Sequence, residues 1–204
     1  MFDLLAKSII LWQKPKVIVI AGKETADTAG AVYKVLSHRF KAVRLSEENL
    51  KTKDIYKKEI LILETDLENS STIQDLQFIF KKSKLPILVL TDSIEPTEIN
   101  KFKELAQILP DFGHLILSFD NEEVQKINTT KCLTFGFQKG ADYQATNIII
   151  NSRINFKLNH KGNTVPIWLE NANQEKHISA ALAAIATATI FNLNLVEIST
   201  ALKS

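Results

Sequence analysis

The chain has 204 residues, 45% of them hydrophobic and 24% charged, with a formal net charge of +2. That length fits one sizeable domain with a proper core, and a balance this even does not argue for nucleic acid. Only three of the 25 basic residues are arginines, Arg39, Arg44 and Arg153. Arginine is suited to bidentate phosphate and base contacts, so no nucleic-acid partner is expected, and the scattered lysines read as solvated helix faces.

Cys132 is the only cysteine. It excludes a disulfide within the chain and a thiolate metal cluster, and it fits a reducing cytoplasm. Residues 1–13 are apolar but interrupted by Asp3 and Lys7. The segment is shorter than the roughly 20 apolar residues of a spanning helix, and it lacks the basic leader and cleavage site of a secretory signal. Phe2, Leu5, Ile9 and Trp12 recur at helical spacing. The expectation is a short amphipathic helix docked on the domain through that stripe, with membrane-surface attachment as the lesser reading.

After Lys14-Pro15 comes Lys16 to Ala21, a β-branched run of strand length that Gly22 breaks. Thr25 to Phe40 follows with helical spacing through Ala29, Val32, Val35 and Leu36. Ala42 to Leu45 is a second strand, and Ile60 to Leu63 a third that runs into Glu64. A helix bearing Ile73, Leu76, Ile79 and Phe80 precedes the strand Pro86 to Leu90. A helix bearing Ile99, Phe102, Leu105 and Leu109 precedes the strand His114 to Leu117. Apolar strands alternating with amphipathic helices predict an α/β fold, a mostly parallel sheet with helices on both faces. Lys131 to Phe135, Tyr143 to Ile150, Ile154 to Leu158 and Val165 to Leu169 are strands divided by Gly and Asn turns, which predicts a small antiparallel addition. Two helices close the chain, the first centred on Ala180 to Ala186.

The strand, Gly22-bearing turn and helix resemble the phosphate loop of an NTPase, and more closely the entry to the central domain of the Mur ligases. Leu63-Glu64 is similar to that family's strand ending in a magnesium-binding glutamate. Leu117 to Val124 resembles its Asn-x-Asp-Asp-Pro-x-Val stretch, and Thr134-Phe135-Gly136 with Ala141 to Ile148 resembles its β-ribbon. His177 with Ala180 to Ala186, then Val196 to Leu202, resembles its closing helices. The resemblance runs from about Lys14 to the end, and in flavour it is nearest to the ligase that adds D-alanyl-D-alanine. It implies an ATP-binding central domain over residues 14–204, without the family's UDP-substrate and C-terminal domains.

The resemblance also implies a damaged site. Where the family carries Gly-x-x-Gly-Lys-Thr, this chain has Gly22-Lys23-Glu24-Thr25-Ala26-Asp27-Thr28. The second glycine has become Thr25, the phosphate-binding lysine Ala26, and the metal-binding threonine Asp27. Glu24 and Asp27 bring negative charge to the place of a triphosphate. Glu64 survives as a candidate metal ligand. Phe102 stands where the family has a carbamylated lysine, and its two adenine-binding amides fall on His177 and Ala180 in one frame or on Ile178 and Ala181 in the other, so that both are lost. The vestigial phosphate loop is therefore Gly22, Lys23, Thr25, Asp27 and Thr28, and the vestigial adenine region His177.

Losing several parts of a phosphoryl-transfer site together predicts no catalysis. The expectation is a non-catalytic, cytoplasmic protein that needs no cofactor and binds a partner: a Mur ligase, another cell-wall enzyme, or a second copy. The alternatives are an ATP- and magnesium-dependent amide ligase with an atypical site, and a binder of small anionic metabolites.

Overall fold

The computed structural model describes residues 4–22, 25–46, 52–65, 67, 70–91, 97–127 and 132–203. Among the described residues nine strands form one sheet, in the order β2-β3-β1-β4-β5-β6-β7-β8-β9. The first five are β1 (Lys16–Ala21), β2 (Ala42–Ser46), β3 (Ile60–Thr65), β4 (Pro86–Leu90) and β5 (His114–Ser118). They are followed by β6 (Cys132–Gly136), β7 (Tyr143–Ile150), β8 (Ile154–His160) and β9 (Asn163–Leu169). Every pairing from β2 to β7 is parallel, and only β7-β8-β9 is antiparallel. The parallel sheet and the small antiparallel addition are thus as expected. One assignment is corrected: the strand at Lys131 to Phe135, expected in the addition, pairs with β5 as β6 and extends the parallel part.

The central strands are buried on both faces, and Val17 to Ala21 are 0% exposed, which accounts for their continuous apolar runs. One face is covered by α2 (Thr25–Ser37), α7 (Glu175–Ile190) and α8 (Leu195–Lys203). The other carries α1 (Leu4–Gln13), α3 (Thr52–Ile55), α4 (Ser70–Lys82), α5 (Ile99–Gln107) and α6 (Glu122–Gln125). Small side chains at Ala181, Ala183 and Ala184 let α7 pack against α2 and the sheet. Helix α8 starts with a reciprocal cap: the Asn194 side chain accepts from the backbone N–H groups of Val196 and Glu197, and Glu197 accepts from that of Asn194. The short helices α3 and α6 were not anticipated.

The N-terminal helix docks, but not through the expected stripe. Ala6 and Ile10 are buried and Ile9 half-buried, whereas Leu5 and Trp12 are 67% and 74% exposed; Phe2 lies outside the described residues. Apolar residues occur all round α1, so spacing alone offered two faces. The face with the bulkier residues points outward. Lys7, bonded to Asp75 at 2.8 Å and set over the Phe78 ring, joins the helix to α4 in that rotation.

Candidate functional site

In a parallel sheet, ligands bind outside the carboxyl ends of the strands, and the expected site residues collect there. Gly22 ends β1 with φ 129, a conformation that side chains rarely adopt, and its N–H donates to Thr65 O at 3.3 Å. Lys23 and Glu24 lie outside the described residues. Helix α2 begins at Thr25, and its first turn carries Ala26 and Asp27, with Thr28 buried behind them. The Asp27 carboxylate is bonded at 3.0 Å to Lys176, in the first turn of α7. Both partners are over a third exposed, so the pair adds little stability. Its consequence is positional: it links the two helix starts across the place where an anion would approach.

Glu64, the candidate metal ligand, is held by a cation of the protein itself. Ile60, Ile62 and Glu64 point to one face of β3, and Ala42, Arg44 and Ser46 to the same face of β2. Glu64 pairs in register with Ser46, which sets Arg44 on the diagonal. The Arg44 guanidinium donates Nε–H to Oε1 at 2.5 Å and Nη2–H to Oε2 at 2.9 Å. This fork-to-fork geometry is the strong form of a charge-assisted hydrogen bond. The hydrogen bond to Glu64 is the first cause of a guanidinium pKa raised above its ordinary value. Partial burial opposes it, and the charges of Glu64 and then Asp27 add to it. Helix α2 has Gly30 above the guanidinium, where an added Cβ would lie 3.6 Å from Nη1.

Three further positions have structural explanations. Phe102, which the resemblance would set in the place of a carbamylated lysine, is 2% exposed within the core under α5. His177 starts α7: its Nδ1 accepts from the N–H groups of Asn173 and Gln174, both at 3.3 Å. Asp120, in the acidic stretch after β5, accepts from the N–H groups of Phe137 and Gln138 at 2.7 and 2.9 Å. That carboxylate clamps the chain leaving β6.

Sequence reasoning missed Arg44, Lys176 and Asp142. Asp142 accepts from the N–H and hydroxyl of Thr134 at 2.8 and 2.9 Å and so bonds the β6 and β7 segments together. A lone arginine on a strand whose parallel neighbour carries a lone inward glutamate was the available signal for the first.

Asp27 and His177 do come together, in a groove shared with Lys34, Glu170, Ala180 and Leu202. It offers about 120 Å³, against roughly 300–1,000 Å³ for an ordinary ligand pocket. Among the described residues at these positions, Ala26 brings no side-chain donor, Asp27 is paired with Lys176, Glu64 faces a guanidinium, and Phe102 is core.

No family model matches the chain. Over 165 residues it is 29% identical to a UDP-N-acetylmuramate–L-alanine ligase of Hydrogenobaculum sp. (strain Y04AAS1), a match over 72% of the chain and 34% of that enzyme. It is 31% identical over 108 residues to the ligase of the same name from Clostridium perfringens, covering 50% of the chain and 23% of the relative. Among solved structures, a MurF structure from Acinetobacter baumannii superposes with a TM-score of 0.78 at 16% identity. That match takes in 98% of this chain and 48% of the other. MurF from Thermotoga maritima in complex with ADP gives 0.75 at 12%, over 96% and 50%. The chain therefore spans half or less of the length of each of these four relatives. Those known by sequence attach L-alanine, so a particular likeness to the D-alanyl-D-alanine-adding enzyme is not resolved.

Proposed function

Because this chain is a Mur ligase relative with the fold of their central domain, we propose that it is a non-catalytic member of that family, acting by binding a partner. The observation that carries the reading is the bidentate pairing of Glu64 with Arg44. In the resemblance, Glu64 is the position that holds magnesium. Here a permanently charged guanidinium sits on both oxygens, and a divalent cation would have to displace it against like charge. The Asp27–Lys176 bridge and the buried Phe102 support the same reading. The proposed partner is a Mur ligase or another cell-wall enzyme. The second reading, an ATP-dependent amide ligase with an atypical site, is favoured by the sequence likeness to enzymes named as ligases.

Calorimetry and thermal shift with MgATP separate the two. No saturable binding below about millimolar is expected. A ligand at about 100 times its Kd would stabilise the fold by about 2.7 kcal/mol, so a clear magnesium-dependent shift with ATP would overturn the non-catalytic reading and favour the ligase.

A further inference from the structure

A different part of the molecule, at the end of the sheet opposite the candidate site, has a surface that neither reading uses. Helix α1 is apolar on both sides. Ala6 and Ile10 face the core, while Leu4, Leu5, Leu11 and Trp12 are 85%, 67%, 43% and 74% exposed. At about 100° per residue, those four fall within one outward arc, with only Ser8 among them. The Ser8 hydroxyl is turned back onto Leu4 O at 2.8 Å, so the arc presents little polarity. A helix apolar all round requires cover on both sides.

What lies beside that arc indicates the cover. Trp12 lines an open groove with Lys14, Lys57, Lys58 and Lys84, in which Glu59 is the one acid, while the Lys16 ammonium is turned onto the Phe40 and Phe191 rings. These lysines stand just before or at the start of β1, β3 and β4, so they share the amino edge of the parallel sheet. Lys14 closes α1 in a left-handed conformation (φ 45), its N–H bonded to Ile10 O at 2.9 Å, which carries the chain directly from the apolar arc into the basic edge.

We infer that this face docks on an anionic lipid bilayer, with Leu4, Leu5, Leu11 and Trp12 seated at the interface and the lysine edge on the headgroups. Apolar side chains with a flanking tryptophan and a basic border are the chemistry of an interfacial helix. A second copy fits poorly: a two-fold contact would bring the lysine edges together, and a ten-residue helix is small beside the roughly 800 Å² per partner of a stable interface. The inference stands apart from the non-catalytic reading and survives its failure.

Flotation of the full chain with vesicles of phosphatidylcholine alone, and with added phosphatidylglycerol, tests it. Binding to the anionic vesicles that weakens with salt is expected, with little binding to the neutral ones. Lys57→Glu/Lys58→Glu/Lys84→Glu should weaken binding by more than about a hundredfold, since each lysine near such a surface is worth about fivefold. Leu5→Asp/Trp12→Asp should abolish binding while leaving the circular dichroism melt unchanged; if that variant unfolds, Leu5→Ser/Trp12→Ser takes its place. Three results would overturn the inference: no flotation with anionic vesicles at low salt, equal binding to neutral vesicles, or binding unaffected by both sets of changes. So would a dimer, or a complex with an acidic protein, that is lost in Trp12→Asp while the intact chain ignores vesicles.

Discussion

The Arg44 guanidinium grips both oxygens of Glu64 from the neighbouring strand, with Nε 2.5 Å from Oε1 and Nη2 2.9 Å from Oε2. Glu64's side chain is 11% exposed and Arg44's 38%, so water screens one partner and scarcely reaches the other. Removing the arginine alone strands a largely buried carboxylate. Arg44→Met should cost about 1–3 kcal/mol in urea unfolding, discounted for the guanidinium's exposure. Adding Glu64→Met should recover most of that loss, because a paired ion and its apolar replacement are often similar in stability. A double variant as unstable as the single one would mean that Glu64 does not depend on Arg44.

Asp120 and Gly136 form a second coupled pair. The Asp120 carboxylate accepts from the N–H groups of Phe137 and Gln138, and it lies directly against Gly136, where an added Cβ would collide with it. Asp120→Ala should cost about 2–4 kcal/mol through the two lost bonds. Gly136→Ala should also destabilise, by about 1–3 kcal/mol of overpacking. In the double variant the collision partner is gone, so the two losses should fall short of additive in a thermodynamic cycle. Strict additivity would show that the carboxylate is not lodged against Gly136.

These pairs mark where the sequence stops being legible. Strands β1, β3, β4 and β5 were readable because burial on both faces leaves unbroken apolar runs such as Val17 to Ala21, and helices α2, α4 and α5 because each shows one apolar face. The partner of β6 was not: an apolar run with turn residues at its ends specifies a strand, not its neighbour in the sheet. Phe102 could be placed in the core from helical spacing alone. Arg44 could not be assigned to Glu64, since their meeting depends on the register between β2 and β3. The rotation of α1 was undecidable in a helix apolar on both faces; the burial of Ala6 and Ile10, with Lys7 paired to Asp75 beside them, shows which face docks.

Cys132 supplies a test of packing at the start of β6. Burial first, and the charge of Asp142 second, push its thiol from 9.0 up to about 12. The thiolate is the reactive form, so near pH 8 the native protein should alkylate roughly a thousandfold more slowly than its guanidinium-unfolded form. The same shift sets a pH dependence. The folded state holds this proton more tightly, so the contribution is complete below about pH 9 and is lost as pH rises towards about 12. Tyr143, raised chiefly by burial, acts in the same direction above its ordinary 10.0. Rapid labelling of native protein near pH 8, with no fall in stability at alkaline pH, would show an open β6 end.

The rotation of α1 predicts opposite outcomes for two substitutions five residues apart. Ile10 is 0% exposed and packs among Ala6, Val17 and Phe80 in the core on that face of the sheet. An aspartate there buries an unpaired charge, and Ile10→Asp should cost several kcal/mol or prevent folding. Leu5 is 67% exposed, and the first turn of α1 carries no acidic residue. Leu5→Asp therefore places a carboxylate where the helix dipole favours it, and stability should stay within about 0.5 kcal/mol of the parent or rise slightly. Circular dichroism melts of the two variants decide the matter. If Leu5→Asp unfolds the protein and Ile10→Asp leaves it intact, the helix is docked through its other face, and the outward arc that would meet a bilayer does not exist.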